Sequence, residues 1–186
     1  HAATLGKSLA QSVAAQTLAA VHRLAVELRP SILDDVGLVA AIERYLQESA
    51  QQWNLAVDFA TMGIDGDFRL IPAAETTIYR IVQAALTNIA HHAQPRHVSV
   101  LLERRDQKLV VVVEDDGQGF DLAAVRARPL EKRLGLAGME ERGSLIGATL
   151  TIETAPGAGT TVFLEVPLDA NWRKEEANVE VTHPVG

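Results

Sequence analysis

A chain of 186 residues with a formal net charge of -7 has room for one domain of ordinary size plus an appendage, its core burying about 70% of the unfolded surface. The acidity argues against generic binding of duplex nucleic acid, and the absence of cysteine excludes disulfides and Cys-ligated zinc while fitting a reducing, cytoplasmic compartment. No apolar run reaches the roughly 18 residues of a membrane span and no signal peptide is visible, so the chain reads as soluble. Its abrupt helical start reads as that of a fragment, which leaves any membrane anchor to a missing N-terminal region.

Residues 1–29 place Leu5, Leu9, Val13, Leu18, Val21, Ala25 and Leu28 at spacings of three and four, one apolar seam on a helix that Pro30 ends. Such a seam needs a partner, from the same chain or a second copy. Gly6-Lys7-Ser8 is not a P-loop, because that pattern requires a glycine where His1 stands and a strand before it. Ser31 to Gly37 reads as a connection whose Asp34 or Asp35 caps a helix over Leu38 to Gln52. A strand over Leu55 to Ala60 and a turn over Met62 to Asp67 follow.

Pro72 opens a long helix over Ala73 to Ala93, with Ile78, Ile81, Val82, Ala85, Leu86 and Ile89 on one face. Asn88 lies close to that face, as a satisfied core or cap residue unless something outside the helix uses its carbonyl oxygen. Two strands, His97 to Arg104 and Leu109 to Glu114, are joined by a hairpin at Asp106-Gln107-Lys108. Val110 to Val113 reads as strand buried on both faces, stopping at Glu114-Asp115-Asp116 because a sheet interior does not accept three unpaired carboxylates. Gly117 and Gly119 then allow a sharp turn and a close approach. Alone, this stretch reads first as an Asp/Gly-rich turn; with the rest of the chain it reads as a ligand site, Asp115 its first contact.

Asp121 to Lys132 is charged and has little periodicity, which predicts a mobile loop placed to act as a lid. A short helix over Leu134 to Leu145 starts with Gly135 and Gly138. Strands Thr149 to Thr154 and Thr161 to Pro167 flank Pro156 to Thr160, and from Asp169 a frayed tail is expected. The elements predict an α/β (α+β) fold, a two-layer sandwich of a mixed sheet of about five strands covered on one face by helices. The organisation expected is a helix over 1–30, a domain over 31–168 and a tail over 169–186.

Asn88, then Asp115-Asp116-Gly117-Gln118-Gly119, then Gly135 to Met139, then Gly157 to Thr160 resemble, in order and spacing, the N, G1, G2 and G3 boxes of the GHKL ATP-binding superfamily. That superfamily, with the Bergerat fold, includes gyrase B, MutL, heat-shock chaperones and histidine kinases. Leu28 to Leu38 (LRPSILDDVGL), Ile81 to Ala93 (IVQAALTNIAHHA) and Leu134 to Thr154 resemble sensor histidine kinases that signal to NarL-type response regulators. The resemblance implies an ATP-binding catalytic module that passes the γ-phosphoryl group to a histidine for relay to a response-regulator aspartate, in an intact protein that is a homodimer. It implies Asp115 as acceptor for the adenine amino group, a bond contributing about 1.5–3 kcal/mol. Asn88 would be both catalytic and the oxygen ligand of Mg²⁺. The stretch Gly135, Leu136, Gly138 and Met139 would present N–H groups to the phosphates at a helix N-terminus. Gly117 and Gly119 would belong to the ATP-binding residues, and Gly157, Gly159 and Thr160 would shape the base end of the pocket. His91 or His92 would meet phosphate, or else be solvated helix-end residues.

Two departures stand out. Where the family commonly has a glutamate four residues before the asparagine, this chain has Ala84, which has no proton to give or take; a catalytically impaired nucleotide-sensing module is therefore the alternative. No histidine followed by an acid stands on a first hairpin helix, so residues 1–29 resemble the second helix of a dimerisation hairpin. The phospho-acceptor is expected to be absent, His22 being a weak candidate and autophosphorylation by the fragment unexpected.

Overall fold

In the computed structural model, which describes residues 30–66 and 68–168, alternation along the strands decides which face of the sheet is covered. The helix expected over 1–29 with its seam and His22, and the tail from Asp169, lie outside the described residues. Helix α1 (Ser31–Trp53) leads into β1 (Ala56–Met62), and α2 (Pro72–Asn88) continues as a π-helical turn, Ile89–Ala93. Then come β2 (His97–Arg105), β3 (Lys108–Asp115), α3 (Leu122–Arg126), a 3₁₀ turn (Leu130–Lys132), α4 (Leu134–Leu145), β4 (Thr149–Thr154) and β5 (Thr160–Pro167). The sheet order is β1-β2-β3-β5-β4, with β1 parallel to β2 and the other pairs antiparallel. The expected five-stranded mixed sheet is thus present.

Register aligns Val98, Val100 and Leu102 of β2 with Asp115, Val113 and Val111 of β3, and these with Thr160, Val162 and Leu164 of β5. This face carries the buried core, against which Leu38, Ile42, Ile78, Ile81 and Leu86 of the helices pack. Helices α1 and α4 both pack on α2, so α2 is the middle of the helical layer. Burying one fully enclosed Leu or Ile contributes about 1.5–3 kcal/mol, and several here are under 2% exposed.

Four expectations are corrected. The connection expected over Ser31 to Gly37 is already helical, and the helix is broken at Gly37, where φ is 78°. The Arg69 guanidinium lies against that break, donating to the Leu33 carbonyl at 3.0 Å and to the buried Glu75 carboxylate at 2.9 Å. The α-helix expected to reach Ala93 ends at Asn88 and widens into the π turn. The charged 121–132 segment is not loop throughout: Asp121 caps α3 by accepting the Ala124 N–H at 2.9 Å, and Pro129 separates α3 from the 3₁₀ turn. Finally, β3, expected to end at Glu114, runs one residue further through Asp115, which is buried, while Glu114 is exposed. A single carboxylate is accepted there because the turn after it supplies a donor. No described helix is long and apolar enough to cross a membrane.

Candidate functional site

A cavity of about 540 Å³ opens between the ends of β3, β4 and β5 on one side and α2, the π turn and the start of α4 on the other. This is a volume suited to a small-molecule ligand. The sheet wall is Val113, Asp115, Ile152, Thr160 and Val162, and the helical wall includes Ala85, Asn88, Ile89 and His92. The remainder comes from Ala93, the turn Gln118 to Phe120, the 121–133 segment and α4.

Asp115 is 3% exposed. Its Oδ1 accepts the Gly117 N–H at 2.8 Å, and its Oδ2 is buried without a hydrogen-bond partner. Burial pushes its carboxyl above the usual aspartate range, and the Gly117 N–H offsets part of that rise. Asp116 does different work. Its Oδ1 accepts the Arg96 and His97 N–H groups at 2.7 and 2.9 Å, which hold its pKa down and pin the start of β2 to the end of β3. Two adjacent acids therefore divide into one facing the cavity and one bracing the loop.

Of the residues expected in the site, Asn88, Asp115, Gly119, Gly135, Leu136, Met139 and Thr160 do line this cavity. Gly135 comes so close to Asn88 that an added Cβ would lie 3.0 Å from Asn88 Oδ1. The Thr160 hydroxyl lies 3.2 Å from that of Thr154, which also accepts the Phe120 N–H. Gly117, Gly138, Gly157 and Gly159 are not in the wall, each for a reason in the backbone.

The approach that Gly117 permits is by the chain itself: an added Cβ would overlap the Ala93 carbonyl. Gly119, at φ 57°, and Gly159, at φ 72°, lie against the Ala155 and Asp115 carbonyls in the same way. The Gly157 N–H donates to the Gln118 carbonyl at 2.6 Å, clasping the two glycine-rich turns together. Gly138 is past the helix start. The Ala137 N–H already bonds the Arg133 carbonyl, which leaves only the Leu134, Gly135 and Leu136 donors ahead of the ladder.

Sequence reasoning missed Gln118 as an individual contact, and Arg128, Glu131 and Arg133, all in the cavity wall. Arg133 is the most informative, since its Nε is buried and unpartnered. In the sequence it looks like one more charge in a solvated loop, and only its adjacency to the Gly135 helix start hinted otherwise. Of the two histidines, His92 is in the wall and His91 is not. Among the described residues no three His, Asp or Glu side chains cluster to hold a metal ion, so Asn88 Oδ1 is the neutral oxygen available on the helical wall. That donor set suits a hard cation that keeps most ligands from water and a bound anion.

The family model described as "Histidine kinase-, DNA gyrase B-, and HSP90-like ATPase" matches residues 73–170. The chain is 36% identical over 152 residues to the signal transduction histidine-protein kinase/phosphatase DegS of Brevibacillus brevis, covering 82% of this chain and 38% of that protein. It is 34% identical over 142 residues to the DegS of Bacillus subtilis, covering 75% of this chain and 36% of the relative. The chain thus spans little more than a third of these relatives. In fold it is similar to the histidine kinase domain of the Erythrobacter litoralis EL346 blue-light activated histidine kinase, with a TM-score of 0.58 at 22% identity, covering 76% of this chain and 70% of that one. With the boxes in order and the cavity between them, this chain belongs to the histidine kinase-, DNA gyrase B-, and HSP90-like ATPase family.

Proposed function

We propose that the cavity binds ATP and that the chain is the ATP-binding catalytic module of a two-component sensor histidine kinase. The observation that carries this is Asp115: a buried carboxylate with one oxygen held by Gly117 and the other bare, facing the cavity that also receives Asn88 and the open N-terminus of α4. A bare acceptor in an apolar wall recognises a ligand N–H, and the adenine amino group supplies one. Val113, Ile152 and Val162 would pack on the base.

At the helical wall, the N–H groups of Gly135 and Leu136 and the Arg133 guanidinium would hold the phosphates, where orphan donors and the helix dipole both favour anions. Asn88 Oδ1 would be the protein's ligand to Mg²⁺, which supplies charge neutralisation across the phosphates. The residues would act by positioning and electrostatics: Asp115 fixes the base, Arg133 and the α4 donors orient the triphosphate, and the lid excludes water. The accepting histidine, the NarL-type response regulator, the homodimer and the cytoplasmic location belong to the intact protein and are part of the same proposal.

Calorimetric titration tests it. The chain should bind Mg·ATP and Asp115→Asn should weaken that binding by roughly 10- to 100-fold; equal affinity in the two proteins would sink the assignment.

A further inference from the structure

Gln118 is the residue through which three parts of the site touch. Its main-chain N–H donates to the Ala93 carbonyl at 2.8 Å, its carbonyl accepts the Gly157 N–H at 2.6 Å, and its side-chain Nε2–H donates to the His92 carbonyl. The first and third bonds fall on successive carbonyls of the π turn, Ile89–Ala93, that follows Asn88. A helix end leaves its last carbonyls without intrahelical donors, and at the end of this π turn donors from outside take them. Here one residue takes two. Main-chain bonds form whatever the side chain, so the amide of Gln118 is what the sequence adds.

His92 is itself a residue of the π turn. Returning such a segment to α winding would rotate the side chains within it about the axis. His92 lines the cavity beside Asn88, whereas His91 does not. The rings of the two lie 6.1 Å apart and nearly perpendicular, so a change of winding moves both.

We propose that Gln118 is a positioning residue: by bonding the His92 carbonyl, its side-chain amide holds the π turn wound so that His92 faces the phosphate-binding side of the cavity, beside Asn88 at the end of α2. Although Gln118 belongs to the turn after Asp115, its effect lies at the other wall. This inference rests on the nucleotide reading above.

The test uses the uncharged variants Gln118→Met, which keeps the length and removes the donor, and Gln118→Asn, which keeps the amide but withdraws it by one methylene. Affinities for adenosine and for Mg·ATP are measured beside thermal midpoints. Loss of one neutral hydrogen bond predicts roughly fivefold weaker Mg·ATP binding. Adenosine affinity, set at Asp115, and the thermal midpoint should stay near wild type. The proposal is overturned if Mg·ATP affinity is unchanged in both variants, or if adenosine and Mg·ATP weaken in equal proportion, which marks general loosening. A wild-type chain that binds no Mg·ATP would instead remove the nucleotide reading itself.

Discussion

The Gly117 N–H donates to Asp115 Oδ1 at 2.8 Å, while Oδ2 of the same carboxylate is buried with no hydrogen bond of its own, the Thr160 hydroxyl being the nearby polar group that eases its charge. The fold is therefore made less stable by the group that its ligand needs. Burial raises the Asp115 pKa, so its ionised form disfavours folding: stability is greatest below the ordinary aspartate pKa and is lost as pH rises through the folded value. Asp115→Asn should unfold at higher denaturant than wild type at neutral pH. The advantage should disappear below the usual aspartate range, where both side chains are neutral. The same substitution should weaken nucleotide binding by roughly 10- to 100-fold, as expected for a hydrogen bond to a charged group.

Glycines with the same backbone sign should differ in their tolerance. Gly159 and Gly157 both have positive φ, but a Cβ on Gly159 would overlap the Asp115 carbonyl whereas one on Gly157 meets nothing within 4 Å. Gly157→Ala should cost about 1 kcal/mol of backbone strain. Gly159→Ala should cost more than about 2 kcal/mol and, by displacing Asp115, weaken nucleotide binding as well. Urea denaturation of the pair decides this, equal costs being the contrary result.

Glu75, fully buried, accepts from Arg69 and from the Leu70 N–H, and Arg69 reaches on to Leu33 beside the break in α1. Removing the acid leaves a guanidinium that is only about a third exposed. Glu75→Ala should destabilise by about 3 kcal/mol, and Arg69→Met in the same background should restore part of the loss. A double-mutant cycle in guanidinium chloride measures the coupling, and additive losses would show the pair to be independent.

Ala84 is partly buried on α2, the helix against which α4 packs. Gly135 at the start of α4 lies beside Asn88 at the end of α2, and further along α4 the Arg80 charge acts on Arg142. The Arg142 guanidinium folds back over Gly138, and its Nε is buried without a partner; burial lowers its pKa. Ala84→Glu should supply a carboxylate to it and raise the thermal midpoint by about 3 °C, corresponding to roughly 1 kcal/mol for a partly buried pair. Scanning calorimetry should find no such rise in an Arg142→Met background.

The sequence alone determined the succession of elements and the composition of the site. The valine run of β3, the apolar face of α2 and the order of Asn88 and three glycine clusters are local patterns, set by side-chain period and by turn residues that the chain carries wherever it folds. Tertiary structure decided which backbone closes on which glycine. The contacts of Gly117 with Ala93, of Gly119 with Ala155 and of Gly159 with Asp115 join segments far apart in the chain, and no spacing shows whether a ligand or the chain itself will fill the room beside a missing Cβ. It also decided the charges. Asp115 and Asp116 are identical neighbours in sequence, and the alternation of a strand end sends one into an apolar wall while the other meets two backbone donors. Arg133 reads as a loop cation until the start of α4 buries its Nε. The π turn, too, gives its last carbonyls to donors from Gln118, beyond the next strand pair, which the helix that it ends does not reveal.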